Sequence, residues 1–218
     1  MGKKFAMIGE LDHTSINKSV KREVVMSKYY CDFHRLYRNE AVDNIMKEAN
    51  LSNIMQVPRL EKVVVNRSIK ADDKAALERL QEELVLITGQ KPVVRKAKKS
   101  EAGFKLRQGM PIGASVTLRG EKAWQFFEKC VRVIFPRIRD FNGFSAASFD
   151  AQGNYNLGIS DQQVFFEIPF DSIIKRLGMD ITFVIKTNSN DHDKRMLGHA
   201  FLKQFNFPFK QEVLAWQK

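Results

Sequence analysis

The sequence has few of the residues that build disulfide frameworks or metal centres. Its 218 residues include only two cysteines, Cys31 and Cys130, and four histidines. Two cysteines so far apart do not form a disulfide framework, and they favour a reducing compartment. Long apolar runs are also missing, since none approaches the roughly 18 residues that a membrane helix needs. The N-terminus lacks the apolar core of a secretory signal. These absences argue against a disulfide-stapled secreted protein and against a transmembrane protein.

Residues that could support catalysis are also sparse. Cys31 and His34 form a C-x-x-H pair, but no second pair stands at the spacing of a zinc site. The run Asp191-His192-Asp193 opens a helical pattern, where acids cap and stabilise the first turn. The glycines of 153–158 do not follow a strand and open a helix, as those of a dinucleotide site do. The sequence therefore predicts no catalytic residue, no metal site and no cofactor.

Positive charge is abundant and unevenly distributed. The formal net charge is +11, and the stretch from Lys91 to Arg107 contributes +6 of it, with Glu101 as the single acid. Prolines and glycines interrupt this stretch, which predicts more loop than helix. One aromatic residue, Phe104, lies near its middle. A cationic loop of this kind suits a polyphosphate surface, and nucleic acid is the first interpretation.

Apolar periodicity predicts an α+β fold. Helices are expected at 27–48, with a break near Asn39, and at 73–89, 121–135 and 191–205. Strands are expected at 60–66, 112–119, 163–168 and 180–187. In the last helix, Met196, Leu197, Ala200 and Phe201 are expected to be buried. Together these elements predict a mostly antiparallel sheet with helices covering one face.

The rest of the chain is expected to be irregular or terminal. Residues 137–160 are rich in Gly, Asn and Phe and predict a long loop, which in a compact domain is usually functional. Residues 1–26 show little periodicity and predict an N-terminal extension. Residues 27–210 are expected to form a single domain, followed by a short tail at 211–218.

Several motifs in this chain, taken in order, resemble the bacterial-type ribosomal protein L5 family of the large subunit. The motifs lie at 55–66 (MQVPRLEKVVVN), 86–92 (LITGQKP), 96–113, 117–120, 136–141, 148–150, 153–158 (GNYNLG) and 178–181. The resemblance covers about residues 27–210. Motifs of this length in this order are highly specific to the family.

The resemblance implies a structural component of the ribosome's central protuberance with no catalytic activity. Proteins of this family bind 5S rRNA and adjacent large-subunit rRNA through the sheet side, among neighbouring large-subunit proteins. They direct a basic loop at the tRNA in the peptidyl site. They also contact a small-subunit head protein across an intersubunit bridge. None of the implied partners is a membrane.

By position, the resemblance assigns three sets of residues. The rRNA set consists of Asn66, Gln90, Lys91, Thr117 and Arg119. The tRNA-facing set consists of Lys98, Lys99, Ser100, Phe104, Lys105, Arg107 and Met110. The bridge set consists of Arg137, Arg139, Asp140, Asn154 and Tyr155. Amide and hydroxyl groups of the first set can read RNA sugar edges or exposed bases, while basic side chains nearby neutralise phosphate.

The sequence departs from the family in its connection after Asn66 and at its ends. The family has a Gly-rich turn where this chain has Arg67-Ser68-Ile69-Lys70. Additional residues at both ends, with 17 phenylalanines, favour a mitochondrial ribosome, and the bacterial cytoplasm is the alternative.

Two other classes of protein compete with the ribosomal interpretation. A nucleic-acid enzyme would need a carboxylate cluster near the basic loop, and only Glu101 is local. A membrane-surface protein would need exposed apolar residues beside the charges, and the loop offers few. Phe104 has two interpretations, a small hydrophobic anchor within the loop or a ring that stacks on a base or sugar.

Overall fold

A five-stranded antiparallel sheet organises this protein. The computed structural model describes residues 31–69, 74–169, 176–188 and 194–210. The strands are β1 (Arg59–Ser68), β2 (Val93–Lys96), β3 (Pro111–Arg119), β4 (Tyr155–Ile159) and β5 (Met179–Lys186). They lie in the order β2-β3-β1-β5-β4, and each neighbouring pair is antiparallel. The predicted extension and tail, and the run Asp191-His192-Asp193, lie outside the described residues.

Five α-helices accompany the sheet in the described part of the chain. They are α1 (Asp32–Leu36), α2 (Val42–Glu48), α3 (Lys74–Thr88), α4 (Glu121–Lys129) and α5 (Lys194–Gln204). A π-helical segment, Tyr37–Ala41, joins α1 to α2, so the chain stays helical through Asn39, where a break was expected. A second π-helical segment, Cys130–Ile134, and a 3-10 turn, Phe135–Arg137, extend α4. The α+β prediction, with an antiparallel sheet and helices, is confirmed.

The central strand β1 shows why the core lies on one side of the sheet. Side chains alternate across a strand, so residues two apart share a face. Val63 and Val65 are fully buried, whereas Val64 and Asn66 between and beside them are half-buried. Helices α3 and α4 pack against the face that holds Val63 and Val65. Phe127 of α4 lies 5.2 Å from Phe183 of β5, measured between ring centroids.

The remaining helices form a second layer on α4. Phe33 of α1 lies 5.5 Å from the Phe127 ring, and Phe205, just past α5, lies 5.4 Å from it. Trp124 stacks with His34 at 5.3 Å. Buried aromatic pairs of this kind add about 0.5–1.5 kcal/mol each beyond their area burial. The many phenylalanines of the sequence are therefore largely explained by the core.

A charged side chain, Arg67, lies inside the core. Arg67 near the end of β1 is 1% exposed, and its Nη1 lies 2.6 Å from Oε2 of Glu83 on α3. Its Nη2 donates to Oε1 of Gln162 and, at 3.3 Å, to the Leu177 carbonyl. The same Gln162 oxygen accepts the backbone N–H of Leu177 at 3.1 Å. This buried network links β1, α3 and the chain on either side of 170–175.

Three sequence expectations about secondary structure and burial are wrong. Residues 163–168 form no strand, and the segment begins within a 3-10 turn, Gln162–Val164, which is capped by the Asp161 side chain. The segment 137–160 includes a regular edge strand, β4, because Tyr155, Leu157 and Ile159 alternate into the core. Met196 is 49% exposed, since the buried stripe of α5 runs instead through Leu197, Gly198, Phe201 and Leu202.

Candidate nucleic-acid interface

No helix in the described part of the chain covers the other face of the sheet. We call this surface the open face. The strand registers place on it, from β1, β3, β4 and β5, Lys62, Val64, Asn66, Ser68, Gly113, Ser115, Thr117, Arg119, Asn156, Gly158, Asp180, Thr182 and Val184, and Val93 and Arg95 of β2 lie at its edge. Most of these side chains are polar and partly or fully accessible. The open face is therefore a wide polar surface that spans four neighbouring strands.

Three residues of the predicted rRNA set meet on or beside this face. Asn66 of β1 pairs with Ser115 of β3, and Thr117 pairs with Val64, so Asn66 and Thr117 are diagonal neighbours. Diagonal neighbours across antiparallel strands lie about 7–8 Å apart. The Gln90 amide Nε2 donates to the Thr117 carbonyl at 3.2 Å. Amides and a hydroxyl from distant parts of the sequence are thus brought together at one place.

Local backbone structure explains why Gln90 reaches the sheet. Helix α3 ends at Thr88, whose hydroxyl donates back to the Leu84 carbonyl at 2.6 Å. Gly89 follows with a φ of +64°, the left-handed conformation that glycine adopts readily at helix ends. The chain then turns, and the Gln90 side chain points to the end of β3. The sequence run LITGQKP therefore places this amide beside the open face.

The two predicted cations of the rRNA set flank this group. Lys91 is exposed directly after Gln90. Arg119 is exposed, lies opposite Lys62 in the register of β3 and β1, and forms an ion pair with Glu61 at 3.6 Å. An ion pair this exposed contributes little to stability, so the guanidinium can exchange Glu61 for a phosphate. Positive charge therefore borders the cluster of Asn66, Gln90 and Thr117.

Several candidate residues on this face were missed from the sequence. Arg95 of β2 donates from Nε to the Ser115 hydroxyl at 2.6 Å, and it explains why Ser115 is buried on an otherwise open surface. Thr182 of β5 donates to the Asn156 side chain of β4 at 2.7 Å. The alternating pattern of 180–187 could have identified Asp180 and Thr182, because it places them on the face opposite the buried Ile181 and Phe183.

Most of the basic stretch forms a hairpin arm with backbone hydrogen bonds, and not an irregular loop. We define the arm as residues 97–110, between β2 and β3. Ala97 donates its backbone N–H to the Met110 carbonyl at 2.8 Å, and Glu101 and Leu106 exchange two backbone hydrogen bonds of 3.0 Å each. The tip is a 3-10 turn, Ala102–Phe104, and Lys105 follows it with a φ of +54°. Part of the stretch predicted as loop is thus strand β2 and a backbone-bonded arm.

The predicted tRNA-facing residues divide into two groups on this arm. Lys98, Lys99, Lys105 and Arg107 are exposed, and none forms an ion pair with another described residue. The Phe104 side chain at the tip is 76% exposed, which removes the interpretation of a hydrophobic anchor inside the loop.

The other group braces the arm itself. The Ser100 hydroxyl accepts the backbone N–H of Gln108 at 3.0 Å, and the Met110 sulfur accepts that of Arg107 at 3.2 Å. At the base of the arm, Gly113 has no room for a side chain, because a Cβ there would lie 2.3 Å from the Arg67 carbonyl.

The predicted bridge set also divides into surface and interior residues. Arg137, Arg139 and Asp140 are exposed where the extension of α4 ends. Tyr155 is fully buried, and its hydroxyl donates to the Ser145 carbonyl at 2.8 Å. Burial raises the pKa of this phenol, so it stays a neutral donor. Its side chain therefore acts within the fold and not at a surface.

Asn154 likewise stabilises a turn. Its Nδ2 donates to Asp150 at 2.8 Å, and its Oδ1 accepts the backbone N–H of Ile185 at 3.2 Å. The Asp150 carboxylate also accepts backbone N–H groups of Gln152 and Asn154. Of the bridge set, Arg137, Arg139 and Asp140 are therefore the exposed residues.

The cysteines are placed as packing residues. Both thiols are free and buried. Burial raises the pKa of the Cys31 thiol to about 12 and raises that of the Cys130 thiol as well. Over the ranges that the structure describes, no group of three or more His, Cys, Asp or Glu side chains is arranged to hold a metal ion. Within those same ranges, no helix has both the length and the apolarity to cross a membrane.

Comparison with known proteins places this architecture in one family. The family model for ribosomal protein L5 matches residues 53–107, and the model for the C-terminus of the same ribosomal family matches residues 111–209. The large ribosomal subunit protein uL5 of Fusobacterium nucleatum subsp. nucleatum is 47% identical over 188 residues, which covers 85% of this chain and 100% of that protein. Its counterpart in Buchnera aphidicola subsp. Schizaphis graminum is 48% identical over 181 residues, covering 82% and 98%.

The matches to both family models and to these relatives agree with the resemblance found in the sequence. The chain belongs to the ribosomal protein L5 family. Both relatives are bacterial, so they give no support to the mitochondrial location expected from the sequence.

Proposed function

We propose that this chain is a structural, non-catalytic component of the large ribosomal subunit that binds 5S rRNA and adjacent large-subunit rRNA through the open face. The observation that supports this most is the convergence of Asn66, Gln90 and Thr117 on a face left uncovered by the described helices. Its assignment to a bacterial ribosome, the alternative to a mitochondrial one, rests on the bacterial origin of both relatives.

Recognition on this face combines two kinds of contact. Lys62, Lys91 and Arg119 supply charge that neutralises phosphates and positions the protein without reading sequence. Asn66 has no side-chain partner among the described residues, and Gln90 uses its amide N–H on Thr117 while its Oε1 remains able to accept. These uncommitted amide groups can hydrogen-bond exposed base edges or ribose 2′-hydroxyls of RNA.

The hairpin arm is proposed to contact the tRNA in the peptidyl site. Its four exposed cations, Lys98, Lys99, Lys105 and Arg107, lie on both sides of the exposed Phe104 in the sequence of the arm. Charge along a backbone together with a ring for stacking is the combination that single-stranded or unstacked nucleotides favour. Ser100 and Met110 hold the arm in shape, so their contribution to tRNA contact is indirect.

The bridge to a small-subunit head protein is proposed to use Arg137, Arg139 and Asp140. These residues lie in and just after the turn Phe135–Arg137, where the buried Phe135 packs against Phe144 at 4.8 Å between ring centroids. Neighbouring large-subunit proteins are the other expected protein partners.

Binding to 5S rRNA from a bacterial ribosome tests the main proposal. The purified full chain is titrated against 5S rRNA and against an unrelated RNA of equal length over a series of salt concentrations. We expect preference for 5S rRNA and a log–log salt slope of roughly −0.7 to −0.9 for each phosphate neutralised. The variant pair Asn66→Ala with Gln90→Ala should abolish the preference while leaving most of the salt slope.

An arm variant serves as the matched control for this experiment. Neutralising Lys98 and Lys99 should leave 5S rRNA binding nearly intact and weaken binding to tRNA. Equal affinity of the unaltered protein for both RNAs, lost only when the arm is neutralised, would contradict the proposed 5S interface.

A further inference from the structure

A polar notch continues the open face beyond the predicted rRNA residues. It has a volume of about 340 Å³ and lies where β1, β4 and β5 meet. Its lining includes Arg67, Ser68, Gly158, Ser160, Gly178 and Asp180. A volume of this size falls at the lower end of the range for small-molecule pockets. The notch is therefore large enough for one compact polar group and too small for a folded partner.

The strand register joins this notch directly to the predicted interface. Asp180 of β5 is the cross-strand partner of Asn66 on one side and of Gly158 on the other. Directly opposite residues have Cβ atoms about 4.5–5.5 Å apart. RNA held at Asn66 is consequently within one side-chain length of the Asp180 carboxylate.

Two glycines keep the notch open. A Cβ on Gly158 would lie 3.7 Å from Oδ1 of Asp180, so any larger side chain there would cover the carboxylate. A Cβ on Gly178 would lie 3.0 Å from the Ile159 carbonyl. Glycine backbone permits close approach of a flat ligand. The walls of the notch thus resemble a slot lined by peptide groups.

Arg67, which lines the notch, carries a buried donor without an acceptor in the described part of the chain. Arg67 is 1% exposed, and its Nε has no hydrogen-bond partner among the described residues, although both terminal nitrogens are bonded. Buried polar groups without partners are rare, and such a group calls for an explanation. The Arg67 guanidinium bonds to Glu83 and Gln162 on the face that the helices cover, so the polar groups that face a ligand are those of the rim.

The rim favours a neutral group that donates hydrogen bonds. Asp180 is exposed and forms no ion pair with any described residue. Its charge disfavours a phosphate, whereas its two oxygens can accept two parallel N–H groups. Among the four RNA bases, only guanine presents two adjacent N–H donors, N1–H and N2–H, on one edge. Adenine and cytosine place a ring acceptor beside their amino group, and uracil has a single donor.

We propose that the notch binds one unpaired guanine of the bound RNA, with the Asp180 carboxylate accepting from N1–H and N2–H. This inference rests on the proposed RNA-binding function and adds a base-specific subsite to it. The Ser68 and Ser160 side chains, which border the notch, are available to the guanine O6 or ribose.

Chemical probing of guanines in the complex tests the proposal. The full chain bound to bacterial 5S rRNA is treated with kethoxal, which modifies N1 and N2 of unpaired guanines. We expect one guanine to be protected by the unaltered protein and exposed again by Asp180→Asn. The affinity should fall by about 5- to 100-fold, as for loss of one bidentate base contact. Asp43→Asn, which alters an exposed aspartate of α2, is the matched control and should change neither result.

A second variant and the remaining outcomes distinguish failure of the guanine subsite from failure of the proposed RNA-binding function. Gly158→Val keeps the carboxylate but covers it, so it should also release the protected guanine. Unchanged guanine reactivity in both variants, with 5S preference retained, would overturn the subsite alone. Tighter binding by Asp180→Asn would also overturn it, because this would mean that the carboxylate faces phosphate. If the unaltered protein shows no preference for 5S rRNA, the proposed function fails and the subsite falls with it.

Discussion

The two faces of the sheet differ in role: one packs against the helices, and the other is the polar surface that we propose binds RNA. Val65 of β1 is fully buried against the helices, while Asn66, the next residue, lies on the open face. The covered face holds aliphatic and aromatic side chains, and the open face holds amides, hydroxyls and charges. Because a strand has a period of two, neighbouring residues in the sequence serve stability and recognition separately. Substitutions on the covered face should therefore change the free energy of unfolding, and substitutions on the open face should change RNA affinity.

The largest expected effect concerns the buried charge of Arg67 on the covered face. Replacing Arg67 with Met leaves the Glu83 carboxylate without its buried partner and should lower the free energy of unfolding by about 3 kcal/mol or more. The double variant Arg67→Met with Glu83→Met should recover much of this loss, since an apolar pair is often as stable as a buried ion pair. Urea unfolding measures both. Equal losses of unfolding free energy in the single and double variants would mean that breaking the ion pair between Arg67 and Glu83 is not the cause of the destabilisation.

A smaller effect is expected at the tip of the hairpin arm. Phe104→Ala should weaken tRNA binding by about 1–3 kcal/mol, the range for stacking of one base on an aromatic ring, and should leave the unfolding free energy unchanged. Phe166→Ala is the matched control, because this ring is also exposed, at 57%, but lies outside the arm. Filter binding or anisotropy with purified tRNA measures the difference. Equal effects of the two substitutions would remove the stacking role.

The smallest expected effect is a pH dependence from the covered side. Burial lowers the pKa of His34 and of His199 below 6.5. The unfolded chain therefore takes up these protons first, so the two groups add no pH dependence well above pH 6.5 and reduce stability progressively as pH falls through 6.5. An NMR titration of the imidazole signals measures both pKa values directly. Values at or above 6.5 would mean that these rings are more solvated than the structure indicates.

Regular periodicity made parts of both faces predictable from the sequence. The valine run at 63–65 predicts β1, the alternating apolar residues of 112–119 predict β3, and the stripe through Leu80, Leu84 and Ile87 predicts α3. Asn66, Gln90 and Thr117 were then found by position in family motifs. The structure adds that they share one surface, which follows from strand register and not from local sequence.

Other features depend on contacts that no local pattern reports. Strand β4 was hidden because Asn156 and Gly158 resemble loop residues, although Leu157 and its buried neighbours alternate properly. The hydrogen bond between Arg67 and Gln162 joins residues 95 positions apart. The notch beside Asp180 depends on three strands meeting, so it too is visible only in the folded chain.

The separation of the two faces is tested most directly by two substitutions one residue apart, Val65→Ala and Asn66→Ala. Each variant is measured for unfolding free energy and, at a temperature where it is folded, for affinity to 5S rRNA. Val65→Ala should lose about 2–3 kcal/mol of stability and bind normally, whereas Asn66→Ala should keep its stability and lose affinity and 5S preference. If both variants change both quantities equally, or if Asn66→Ala binds as well as the unaltered protein, the open face is not the RNA interface.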